Sequence, residues 1–134
     1  EDALQHFNAA LKLKPKELKY HRALARYQER VHKYRDAAAR WEKILRMLPG
    51  DAHSERRDAR AKAIGLYDQQ QHLTARRRAW ERALGETPPD LEAGLFLAEA
   101  MLYRKEFAAA AKVLERIREA RPKHIEALLL LEER

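Results

Sequence analysis

Histidine stands at six places, His6, His21, His32, His53, His72 and His124. No two of them lie four apart around a glutamate, the spacing that lets one helical face ligate zinc, and no metal is expected. The one serine, Ser54, sits between His53 and Glu55. Adjacent residues of a helix point to different faces, so Ser54 reads as a helix-start residue and not as a nucleophile beside its base. Cysteine is absent, which removes disulfides, thiolate metal sites and thiol nucleophiles together. Gly50, Gly65, Gly85 and Gly94 are isolated, so no glycine-rich loop cradles a phosphate. Glu132 and Glu133 read as a solvated end, not as a paired acid and base. What the spacing does offer is cationic. Lys19, Arg22, Arg26 and Arg30 follow one another at intervals of 3, 4 and 4, which makes one stripe on a helix. Arg56, Arg57, Arg60 and Lys62 crowd a second segment, and Arg76, Arg77, Arg78 and Arg82 a third. Such surfaces attract carboxylates or phosphates, or are simply solvated.

The elements that position these residues follow from composition. Of 134 residues, 46% are hydrophobic and 37% charged, with only 4 Gly and 5 Pro. Chains rich in Ala, Leu, Glu, Arg and Lys form helices under a dense charged coat, not sandwiches or barrels. No apolar run approaches the roughly 18 residues of a membrane span, so no membrane insertion is expected. No secretory signal opens the sequence, which begins Glu1-Asp2 without Met and reads as an excised segment. Charge is uneven. Residues 1–83 hold 20 Lys+Arg against 11 Asp+Glu, or +9, while residues 84–134 hold 8 against 10, or −2, for the net +7.

An internal period organises the chain. Pro15 and Pro49 are 34 apart, as are Pro88 and Pro122; Pro49 and Pro88 are 39 apart, five residues more. Those five residues predict a longer first helix or a longer inter-helix loop in that unit. Phe7, Trp41, Trp80 and Leu114 stand eight before the prolines, and Ala10, Ile44, Ala83 and Ile117 stand five before. Ala3, Ala37, Arg76 and Ala110 stand twelve before, and Tyr34, Leu73 and Phe107 fifteen before. These offsets put the columns on one helical face, and each proline ends its helix. The aromatics in these columns are expected to pack between helices, with Arg76 snorkelling out of its column. Tyr20, Tyr27, Phe96 and Tyr103 are the aromatics better suited to exposed contacts. Upstream, Leu24-Ala25, Ala63-Ile64 and Leu97-Ala98 form small-large pairs that let helices approach closely. Eight helices are predicted, at 2–13, 17–31, 34–47, 52–70, 73–85, 90–104, 107–120 and 124–133.

At these residues the chain resembles the tetratricopeptide repeat family, whose units are 34-residue helix-turn-helix pairs. Glu1-Asp2-Ala3-Leu4 through Lys14-Pro15 is similar to the family's second helix and closing proline. Tyr34-Arg35-Asp36-Ala37-Ala38 and Phe107 through Ala111 resemble its turn and small-residue contact. The family's first-helix Trp and Gly are replaced by His21 and Ala25. The resemblance divides the chain into a second helix at 1–15, repeats at 16–49, 50–88 and 89–122, and a further first helix or cap at 123–134. It implies an all-α solenoid of antiparallel helix pairs, coiled into a right-handed superhelix whose first helices line a concave groove.

Placed on that fold, Lys19, Arg22, Arg26, Arg30, Arg56, Arg57 and Arg60 would line the basic part of the groove. Phe96, Glu99 and Tyr103 would line an acidic and apolar part. The function expected is a non-enzymatic scaffold without cofactors, binding an acidic protein or peptide within a larger polypeptide. The alternatives are an RNA-binding half-repeat array, which Ala79-Trp80-Glu81-Arg82-Ala83 resembles in its Glu-Arg-Ala stretch, and a structural spacer. The −2 C-terminal part and the missing Trp-rich first helices disfavour nucleic acid. Asn8 is the sole Asn, which argues against capture of a chaperone's C-terminal carboxylate. Finally, Ile125 to Leu131 places apolar residues around most of the last helix. End-to-end self-association there, or cover by a following helix, is expected.

Overall fold

The computed structural model describes residues 2–133, and side chains from 3 to 132. The residues outside these bounds include Glu1, the side chains of Asp2 and Glu133, and Arg134, on which part of the repeat resemblance and of the Glu132-Glu133 reading fall. All regular structure among the described residues is helical: α1 (Asp2–Leu13), α2 (Leu18–Arg30), α3 (Tyr34–Met47), α4 (His53–Gln69), α5 (Leu73–Leu84), α6 (Leu91–Tyr103), α7 (Phe107–Ala120) and α8 (Ile125–Glu133). Every helix begins and ends within one residue of the position that the periodicity predicts.

The five additional residues resolve cleanly. α4 has 17 residues where α2 and α6 have 13, and the step from Pro49 to its first residue is one longer than the step from Pro15 to Leu18. The first helix of that unit thus takes up four residues and the turn before it takes up one.

Two kinds of turn alternate. Pro15, Pro49 and Pro122 mark one kind: Glu17 N donates to Lys14 O, Ala52 N to Pro49 O and His124 N to Arg121 O, at 3.2, 3.1 and 3.0 Å. The other kind closes on a left-handed residue. His32, Gln71 and Lys105 have φ of 65°, 61° and 63°, and each lies 17 before a proline of the repeat. In all three the left-handed residue donates its N–H to the carbonyl three before, Glu29, Asp68 and Leu102, and at the first and third the next amide reaches further back. Lys33 N reaches Gln28 O and Glu106 N reaches Met101 O, both at 2.8 Å, satisfying carbonyls that a helix terminus leaves open.

The chain divides into two compact units, residues 1–71 and 72–134. In the first, α1 packs on α2, α2 on α3 and α3 on α4. Its core is the set that helical spacing aligns: Leu24 and Ala25 of α2, Ala37, Ala38, Trp41 and Ile44 of α3, and Ala59, Ala63 and Ile64 of α4, all under 4% exposed. The Trp41 indole N–H donates to Glu29 at 2.8 Å, which supplies the polar partner a buried Trp needs. Tyr67 donates to Glu42, tying α4 to α3.

In the second unit α5 packs on α6, α6 on α7 and α7 on α8. α6 is its centre, with Ala93 through Met101 all buried. Trp80 of α5 stacks on Phe96 at 4.8 Å and 13°. A side chain at Gly94 would come within 2.9 Å of Leu84 and 3.0 Å of Ile117, so α6 is held closely between α5 and α7. Arg77 pairs with Glu106 and Glu81 with Arg116. Residue numbers rise together across these bridges, so α5 and α7 run the same way, as equivalent helices of successive repeats would.

The packing columns hold with two corrections. Phe107 is 54% exposed, because it opens α7 and its ring projects from the helix start into solvent. Ala3 is exposed as well. Arg76 behaves as its column requires of a charged residue: it is half-buried, with the guanidinium over the Trp80 ring at 5.4 Å. Ser54 lies in the first turn of α4, as its helix-start reading expects, but makes no side-chain cap.

Candidate functional site

The basic stripe of α2 survives folding in part. Lys19, Arg26 and Arg30 are exposed and, among the described residues, have no intramolecular partner. Spacing alone would pair Arg26 with Glu29, but Glu29 is turned to the Trp41 indole and leaves Arg26 uncompensated. Arg22 is half-buried and bridges to Glu55 at 2.8 Å, so its charge is spent on joining α2 to the first turn of α4. Arg56 is also half-buried and donates to the Leu45 carbonyl at 3.3 Å. Arg57 beside it is exposed.

Three residues read as groove-lining are not available. Arg60 is 1% exposed; it stands between Ala59 and Ala63 on the face that α4 buries. Phe96, at 5%, is stacked on Trp80, and Glu99, at 7%, lies in the run of α6 that is buried all round. Tyr103 is 49% exposed, as the sequence reading expects of it. Tyr20 and Tyr27 are half-buried, Tyr27 against Phe7 at 5.6 Å.

Behind the stripe lies a polar network that spacing does not reveal. His21, 2% exposed, stands on the buried face of α2 with Leu24 and Ala25. Its Nδ1 faces Arg40 at 3.0 Å and its Nε2 faces the Pro15 carbonyl at 2.7 Å. A guanidinium can only donate, so Nδ1 accepts and the proton sits on Nε2, which donates to Pro15. One neutral ring thereby fastens the turn before α2 to α3. Burial pushes the Arg40 guanidinium below its ordinary value, and Asp36 one turn earlier opposes that shift.

What the first unit offers chemically is therefore a line of uncompensated cations on a rigid helix. Among the described residues no group of three His, Asp or Glu side chains could hold a metal. No helix of the described residues is long and apolar enough to cross a membrane. Comparison with protein-family models finds no match, and comparison with curated proteins finds none either.

Proposed function

We propose that this chain is a non-enzymatic helical-repeat scaffold of the tetratricopeptide kind, a right-handed solenoid of antiparallel helix pairs. Its first unit binds an acidic segment of a partner protein through the exposed face of α2. The recurrence of left-handed turns 17 residues before Pro49, Pro88 and Pro122 supports the repeat reading. The observation that carries the binding reading is the set Lys19, Arg26 and Arg30, exposed, on one helix and without partners among the described residues. Fixed cations on a helix face raise the encounter rate with an acidic partner and set its register. Arg57 extends the surface where the Arg22–Glu55 bridge brings α4 to α2.

The test is binding of a fluorescent acidic peptide to the whole chain. Reversal at Arg26 and Arg30 (Arg26→Glu with Arg30→Glu) breaks no internal bridge and should weaken binding by at least about tenfold. Added salt should weaken it further. Arg22 is a poorer probe, because changing it also frees Glu55. If single-stranded RNA binds better than the peptide, with log K falling by about 0.7 per decade of salt for each phosphate contacted, the surface is a nucleic-acid interface and the proposal fails. If nothing acidic binds, the spacer reading takes its place.

A further inference from the structure

α8 has a buried side and an open one. Glu126, Ala127 and Leu130 are buried in the second unit. Ile125, Leu128, Leu129 and Glu132 follow one another at intervals of 3, 1 and 3, which makes one stripe on a helix. Ile125, Leu129 and Glu132 are exposed, and Leu128 is half-buried among them. With Leu131 beside it and Arg118 of α7 at its edge, the stripe borders a cleft of about 370 Å³.

Opposite charges stand toward the two ends of this stripe. Arg118 lies just before the turn from Arg121 to His124 that leads into α8, so it stands by the stripe's beginning. Glu132 closes the stripe seven residues after Ile125, about 10 Å further along the helix axis. Glu132 has no partner among the described residues. Arg118 bridges to Glu115 at 2.6 Å through one amino group and has no other partner among the described residues. Both members of that bridge are exposed, and such a pair is worth little and exchanges readily.

We infer that the stripe is covered by the same stripe of a second copy, related by a two-fold axis, with α8 antiparallel to α8. Apolar surface alone chooses no direction; the charges choose it. A parallel pairing sets Arg118 against Arg118 and Glu132 against Glu132. The antiparallel pairing sets each Arg118 against the other copy's Glu132, twice, with Leu128 and Leu129 meeting near the axis. Such a contact uses one patch on both copies and closes on itself, so it yields a dimer and not a growing chain. The rival surface, on α1, is the smaller one, since Leu4 and Leu11 there are both half-buried. A few partly exposed side chains fall well short of the roughly 800 Å² per partner of a standard interface. The dimer is therefore weak and forms as concentration rises. It involves the second unit alone and does not depend on the α2 reading.

Sedimentation equilibrium of the whole chain, with a charge exchange, tests this. The parent should approach twice the monomer mass and not pass it. Arg118→Glu alone and Glu132→Arg alone each put like charges at both crossings, and each should raise the dimer dissociation constant by at least about tenfold. Mixed in equal amounts, the two variants restore opposite charges at both crossings, and the mixture should associate about as tightly as the parent. A parallel pairing would leave the single variants no weaker than the parent. Circular dichroism of each variant should match the parent, since both exchanged side chains are exposed. The variant with Arg26 and Arg30 reversed should dimerise unchanged, which separates this contact from the α2 face. The inference is overturned if the mixture associates no more tightly than the variants alone, or if the single variants match the parent. It is also overturned if reversal at Arg26 and Arg30 abolishes association. A mass that climbs past the dimer and falls back with Leu4→Glu would place the contact on α1, and a monomer at every concentration would leave α8 without this partner; either result rejects the two-fold pair.

Discussion

Two glycines inside helices mark opposite situations at the residue scale. Gly65 of α4 has no atom within 4 Å of where a side chain would begin, whereas at Gly94 of α6 that atom would meet Leu84 at 2.9 Å and Ile117 at 3.0 Å. Alanine gains about 1 kcal/mol over glycine in a helix interior. Gly65→Ala should therefore stabilise the protein by about that amount. At Gly94 the neighbours cannot swing away, since Leu84 is 4% and Ile117 0% exposed. Overpacking of about 1–3 kcal/mol then outweighs the helical gain, and Gly94→Ala should destabilise. Urea midpoints that move the same way in both variants would contradict this packing. The sequence showed both glycines as isolated but could not separate them, because the difference lies in what faces them from other helices. The same reason explains Phe96 and Glu99. α6 is apolar almost all round, so periodicity identified no outer face on which to place them. Arg60 misleads for another reason: a charged residue among arginines reads as surface, and only its register between Ala59 and Ala63 says otherwise. Lys19, Arg26 and Arg30 were legible because their helix has one plainly polar side.

Helix ends were nearly fully legible, because prolines and small-residue columns repeat with one spacing. The left-handed turns were not. They use His32, Gln71 and Lys105, while none of the glycines has a positive φ, so the usual marker of such a turn is missing. A residue with a Cβ in that conformation costs about 1–2 kcal/mol. Lys105 is exposed and its side chain has no partner among the described residues, so Lys105→Gly should raise stability by about 0.5–1 kcal/mol after the entropy of the freer unfolded chain is subtracted. Lys105→Val should lower it, and thermal unfolding of the pair reads the difference. The start of α8 holds a pH-sensitive element. His124 Nδ1 faces the Ala127 amide at 3.3 Å and must be unprotonated to accept from it. Burial lowers the His124 pKa below the ordinary 6.5, with Arg121 adding to the shift and Glu126 and Glu92 opposing it. The unfolded chain thus takes up this proton first. The stabilising contribution is in place above about 6.5 and is lost as pH falls from there through the folded value. Thermal midpoints should drop more on acidification for the parent than for His124→Asn, which keeps a cap acceptor and does not titrate. Parallel curves would show that His124 is not the titrating group.

For the molecule as a whole, stability in a repeat chain is close to a sum of neighbour contacts, so an uncovered terminal helix face is where association begins. α8 buries Ala127 and Leu130, at 0% and 1%, against its own unit. Its other side keeps Ile125 and Leu129 at 52% and 42% exposure, with Leu128 and Leu131 half-buried beside them. Ile125, Leu128, Leu129, Leu131 and Glu132, with Arg118, border an open cleft of about 370 Å³. The reading from sequence, that apolar residues surround this helix, therefore divides into an inward face packed in the second unit and an outward face that stays exposed. Leu130 belongs to the first and Leu129 to the second, and the distinction sets the experiment. At the other end Leu4 and Leu11, seven residues apart on one face of α1, are half-buried and offer a smaller apolar surface. Copies of this chain should associate end to end as concentration rises. Sedimentation velocity should show the mean mass increasing, and Leu129→Glu should suppress that increase while leaving helicity unchanged. Leu130→Glu should instead lower stability by several kcal/mol, as an unpaired carboxylate forced into a core does. A monomer at every concentration reached, or loss of helicity with Leu129→Glu, would show that the outward face of α8 does not mediate association.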